Sequence, residues 1–158
     1  MDEKKELVVS EKLKQLNIEL PKAPEPVGAY VAFKKIGSLL FISGQLPIEP
    51  DGKITKGKIG KDLTLKDGQK ASKLCVINIL AQASKAMNGN LDKIKNCIKI
   101  TGFVNSADDF FDQPKVINPA SETLSSVFGD KGKHTRAAIS TNSLPLGAAV
   151  EIDAIFEI

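Results

Sequence analysis

Arg136 and Glu151 are the residues of this chain best suited to chemistry on a small organic acid. Each sits in an alternating apolar/polar stretch, and the two stretches flank the connection Leu144-Pro145-Leu146-Gly147. Paired as an antiparallel hairpin, they place Arg136 opposite Glu151, with Ala137 opposite Val150 on the reverse side. A guanidinium offers two parallel N–H donors to a carboxylate ligand, and a neighbouring carboxylate can hold and deprotonate water. The plainer alternative is a cross-strand surface ion pair, worth about 0–1 kcal/mol.

The elements that must position this pair can be read from periodicity and punctuation. Ser10 followed by Glu11 to Leu16 predicts a short capped helix with Leu13 and Leu16 as its apolar contacts, after a polar and loosely ordered lead. Pro21, Pro24 and Pro26 hold an extended connector. Ala29 to Ile36 and Leu39 to Ser43 predict a hairpin about Gly37-Ser38. A loop without periodicity covers Ile48 to Gly60. The main helix spans Thr64 to Met87, carries Leu74, Cys75, Asn78, Leu80 and Ala81 as its stripe, and ends at Asn88-Gly89. Ile94 to Val104 predicts a strand. Asp109 to Phe128 predicts a second helix, started or interrupted at Pro114 and Pro119 and stopped by Gly129. The order β-β-α-β-α-β-β implies an α+β fold: a mixed sheet with two main helices on one face. The other face must then meet solvent or further subunits, which predicts closed oligomerisation.

Composition excludes several function classes. At 158 residues the chain is expected to bury one core. No apolar run predicts a membrane span, and the charged N-terminus does not predict a signal peptide. Two cysteines without an export signal predict the reducing cytosol, both as buried small hydrophobes. With one histidine and no metal-type cysteine spacing, no metal site is expected. His134 reads as a loop histidine, and neither Ser43 nor Ser140 shows a triad partner. The net charge of +3 comes mainly from dispersed lysines that do not interleave with aromatics, so no nucleic-acid partner is expected.

Several segments together resemble the RidA (YjgF-like) imine deaminases. They are Val27-Gly28-Ala29-Tyr30, Ile42-Ser43-Gly44-Gln45-Leu46-Pro47, Thr101-Gly102-Phe103-Val104-Asn105, Ile117-Asn118, and Arg136 through Ile155. The run Leu74 to Ala81 resembles the longer branch of that family, giving an N-terminal extension over 1–23 and a RidA-like domain over 24–158. The resemblance implies a homotrimer of chorismate mutase-like subunits with pockets at the subunit boundaries. It also implies cofactor-free hydrolysis of 2-imino and 2-enamino acids to 2-keto acids and ammonia. Residue by residue it implies that Arg136 binds the substrate carboxylate, that Glu151 is the pocket acid, and that Tyr30, Asn118 and the backbone at Gly44 complete the pocket. Many members carry a cysteine two residues after the arginine. Ala138 stands there in this chain, which excludes thiol chemistry at that position but leaves hydrolysis by water intact. Two other readings compete: a non-catalytic module for small carboxylates or 2-keto acids, and the endoribonuclease or translation inhibitor of older family descriptions.

Overall fold

Strict alternation in the last strand sets the architecture. Val150, Ile152, Ala154 and Phe156 are buried, while Glu151, Asp153, Ile155 and Glu157 between them are half-buried. Such a strand belongs at the centre of a sheet covered on one face. A computed structural model describes residues 8–158 and shows this; the polar lead expected at 1–7 lies outside the described residues.

Among the described residues the helices and strands run α1 (Val9–Gln15), β1 (Phe33–Ile36), β2 (Leu39–Gln45), α2 (Leu65–Ala86), β3 (Asn96–Asn105), α3 (Gln113–Phe128), β4 (Thr135–Thr141) and β5 (Val150–Glu157). The fold is α+β, with one mixed sheet in the order β1-β2-β5-β3-β4. β5 pairs antiparallel with both β2 and β3, and β4 pairs parallel with β3. The hairpin expected between the last two strands therefore does not form, because β3 lies between them. The reason is burial. β5 carries apolar side chains that need neighbours on both edges, whereas β4 (Thr-Arg-Ala-Ala-Ile-Ser-Thr) has little to bury and suits an edge.

α2 and α3 cover one face of the sheet. Thr64 closes a capping box with Asp67: its Oγ1 accepts from the Asp67 N–H at 3.2 Å, and the Asp67 carboxylate accepts from the Thr64 N–H at 2.9 Å. The helix ends where Asn88 and Gly89 take positive φ, as the sequence predicts. α3 starts at Gln113 and keeps Pro119 in its interior, so Asn118 is a helical residue and not a helix-start residue. Proline has no N–H for the Lys115 carbonyl one turn back. Gln69 of α2 supplies the substitute, donating Nε2–H to that carbonyl at 3.0 Å. α1 differs from expectation at its start. Val8 is the N-cap, Ser10 lies within the first turn, and the Asp92 carboxylate accepts from the Val9 N–H at 2.9 Å. Val9 and Leu13 join the main core, but Leu16 stays 38% exposed.

Gly102 on β3 brings α3 close to the sheet: a Cβ there would lie 2.6 Å from the Ile117 side chain, which is fully buried. Gly102→Ala is expected to destabilise the fold by about 1–3 kcal/mol through overpacking. Urea denaturation checks this, and an unchanged midpoint contradicts it. Among the described residues no helix covers the opposite face of the sheet, which leaves Phe41 38% and Ile139 47% exposed.

Candidate functional site

Ladder partners share a sheet face, which fixes where each candidate side chain lies. Arg136 pairs with Ile100, and Ile100 pairs with Ala154, both buried beneath the helices. Arg136 therefore belongs to the helix-covered face, on the edge strand. Glu151 pairs with Phe103, which pairs with Ile139 on the open face. Far from facing each other, the two residues lie on opposite faces. Their backbones are separated by about 10 Å across the sheet and ~10 Å along it.

The candidates thus fall into two groups. In the first, Arg136 lies against α3, donating Nη1–H to Ser121 Oγ at 3.1 Å and Nη2–H to the Pro114 carbonyl at 3.1 Å. Asn118 is exposed on α3 one helical turn from both of these anchors. No carboxylate among the described residues pairs with the guanidinium. Of its five N–H donors, three remain after these two bonds. Ala138, on the same face as Arg136, packs half-buried against the core.

In the second group, Glu151 of the open face lies against Gly44, and Gly44 shares a crevice with Tyr30. Tyr30 and Gly44 line one crevice with Pro24, Val27, Gln45 and Leu146. Tyr30 does not lie in a strand, because β1 begins only at Phe33. The preceding segment is held by Ser43, whose Oγ–H donates to the Val31 carbonyl at 2.7 Å and whose N–H donates to the Ala32 carbonyl at 2.9 Å. The register between β2 and β5 shifts across Ile42 to Gln45, and the Glu151 carboxylate fills the space that a Cβ on Gly44 would occupy. Glycine at this position is what admits the acid. Burial, and then the nearby Asp153 carboxylate, push Glu151 above its ordinary value of 4.5.

Buried amides hold the second group in place. Asn78 donates to the carbonyls of Leu46 and Ile48, each at 3.0 Å, and Gln82 donates to the Pro24 carbonyl at 2.6 Å. Asn78 lies on the stripe that periodicity predicts to be apolar, yet it is a buried polar residue. A polar residue recurring on a buried helix face was the available signal. Both cysteines are buried, and burial raises both thiols, Cys97 to about 12. They behave as small hydrophobes, as expected. His134 lies in the loop before β4, as expected, and its ring is within hydrogen-bond reach of Ser121 on α3.

The chain matches the family model described as "YjgF/chorismate mutase-like, putative endoribonuclease" over residues 10–157. It is 40% identical to protein TCP17 of Trypanosoma cruzi, over 95% of this chain and 94% of that one. Its fold is similar to that of Atu1372, a protein of unknown function from Agrobacterium tumefaciens (TM-score 0.88, 47% identity, 96% and 94% coverage). It is also similar to a putative endoribonuclease of Shewanella oneidensis (TM-score 0.92, 29% identity, 96% and 100% coverage). Among the described residues no helix is long and apolar enough to cross a membrane.

Proposed function

Because the chain belongs to the YjgF-like (RidA) family, we propose that it hydrolyses 2-imino and 2-enamino acids to 2-keto acids and ammonia, at sites shared between subunits of a homotrimer. The observation that carries the reading is Arg136, held by two bonds to α3 and left without a carboxylate partner among the described residues. A substrate carboxylate takes the remaining donors in a fork, with Asn118 alongside. Glu151 belongs to the other face, so the acid at each site comes from a neighbouring subunit, together with Tyr30 and the backbone at Gly44.

The chemistry needs no cofactor. Glu151 as carboxylate takes a proton from water as the oxygen bonds to the C=N carbon, and the nitrogen receives that proton. The resulting carbinolamine loses ammonia, the hydroxyl proton passes through the same carboxyl group, and the 2-keto acid remains. A Glu151 carboxyl raised by burial is a better proton acceptor than an exposed glutamate. The reaction takes place in the cytosol, near whatever enzyme releases the imine.

Mixing two inactive variants tests the shared site. Arg136→Ala and Glu151→Gln chains, unfolded and reassembled together in equal amounts, are expected to recover about a quarter of wild-type turnover. That is the fraction of boundaries in a randomly mixed ring that pair an intact arginine with an intact acid. No recovery in mixed trimers, shown by native mass spectrometry to have formed, contradicts a site shared in this way. The endoribonuclease descriptions of the family model and of the Shewanella relative supply a second reading. It requires RNA cleavage that is lost in Arg136→Ala and RNA binding that weakens steeply with salt.

A further inference from the structure

Behind Arg136 runs a chain of hydrogen bonds whose donors and acceptors can be assigned from chemistry alone. His134 Nδ1 lies 2.6 Å from the Gly132 carbonyl oxygen. A carbonyl only accepts, so Nδ1 carries the proton, and in the neutral imidazole Nε2 must then be the acceptor. Nε2 lies 2.8 Å from Ser121 Oγ, so the serine hydroxyl donates to the ring. With its hydrogen committed there, Ser121 Oγ turns a lone pair to Arg136 Nη1, which donates at 3.1 Å. Every donor in the series meets an acceptor, and the series ends on the guanidinium.

We infer that Ser121 and His134 are positioning residues for Arg136: they fix the plane in which its guanidinium meets the substrate carboxylate. This deepens the proposed reaction and rests on it. The sequence contributes a further support at Gly132. A Cβ there would press into the Leu124 carbonyl and lie 2.9 Å from the Ser125 Cα, which is backbone that cannot turn aside. Glycine lets the turn Gly129–Gly132 lie against α3, with its last carbonyl in reach of His134. A lone hydroxyl can rotate among partners, whereas this one has a single orientation imposed by the ring behind it. The second tie, Nη2 to the Pro114 carbonyl, comes from the same helix, so the guanidinium is gripped at two points on α3. A fork that must meet a planar carboxylate benefits from such preorganisation, because the orientation is set before the ligand arrives.

The experiment measures 2-ketobutyrate affinity by calorimetry and imine turnover for wild type, Ser121→Ala, Ser121→Thr and His134→Phe, each first checked for a cooperative melt. Nitrogen NMR of the His134 ring reports its tautomer. Ser121→Ala and His134→Phe are expected to weaken keto-acid binding about tenfold and to raise KM to match, with kcat within about threefold. Ser121→Thr keeps the hydroxyl and should stay within about threefold of wild type. The Nδ1–H tautomer should be the neutral species in the wild-type ring. Wild-type affinity in Ser121→Ala, a threonine variant as weak as the alanine one, or an Nε2–H tautomer each overturns the inference. If the wild-type protein neither binds keto acids nor turns over imines, the proposed reaction fails instead, and the tautomer alone decides whether the chain of bonds exists.

Discussion

Arg136→Ala is expected to reduce kcat/KM for 2-iminobutyrate generated in situ by about 10²–10⁴-fold while leaving the fold intact. The size follows from what the side chain would supply in the proposed reaction: a charge-assisted, two-pronged hold on the substrate carboxylate, together with the orientation that hold imposes on the reacting carbon. The stability effect should be small, because the residue is half-buried on an edge strand and makes two hydrogen bonds, neither to a charged partner. Arg136→Lys is the sharper probe. It restores the charge but cannot reproduce both bonds to α3 with the fork still open, so it should recover only a minor part of the loss. Ammonia release coupled to a dehydrogenase measures both variants. Lysine at wild-type efficiency contradicts a planar fork, and alanine at wild-type efficiency contradicts the arginine's role altogether. Retained keto-acid binding by a wild-type protein that shows no turnover favours a binding module instead.

Glu151→Gln is expected to lower kcat by about 10²–10⁴-fold, as removal of the carboxylate that serves as acid–base group in the proposed reaction should. It should also make the protein more stable near neutral pH. The folded carboxyl titrates above its unfolded value of 4.5, because burial and Asp153 disfavour its charge. The folded state therefore holds the proton more tightly than the unfolded chain. That advantage is fully present below 4.5 and disappears as pH rises through the higher folded value, leaving a charge the fold does not favour. Glutamine never ionises, so the melting temperature of the variant should exceed that of the wild type at about pH 7 and converge with it at about pH 4. In wild type, the acid limb of kcat should rise through a pKa above that of an ordinary glutamate. Equal melting curves at neutral pH, or unchanged turnover, would each count against the assignment.

How much of this was legible in the sequence depended on how local each determinant was. The order of elements, the limits of α2 and the stop at Gly129 followed from signals within one helical turn, Thr64 with Asp67 at one end and Asn88-Gly89 at the other. The family resemblance pointed to a chorismate mutase-like α+β subunit, and the fold agrees. Strand pairing was not legible in this way. Proximity in sequence suggested that β4 and β5 pair, but nothing local records that β3 enters between them. One usable clue was present: β5 buries four alternating residues and β4 almost none, which separates a central strand from an edge. The error moved Arg136 to the wrong face relative to Glu151, because the side-chain period of two punishes any mistaken pairing. The cap of α1 was equally unreadable, since Asp92 reaches Val9 from a distant part of the chain. Ser121 is not legible in the sequence, because a serine on a helix carries no signal until His134 and Arg136 are folded against it.

The proline inside α3 has a mechanical meaning. Its missing rung is filled by Gln69, so the two long helices are pegged to each other at the Lys115 carbonyl, next to the residue whose carbonyl grips Arg136. Sliding α3 along α2 would pull that peg and shift the guanidinium's footing in the same movement. In the proposed reaction, the hold on a guest's carboxylate would thereby be geared to α2, and a disturbance there would loosen it without touching any residue that meets the guest.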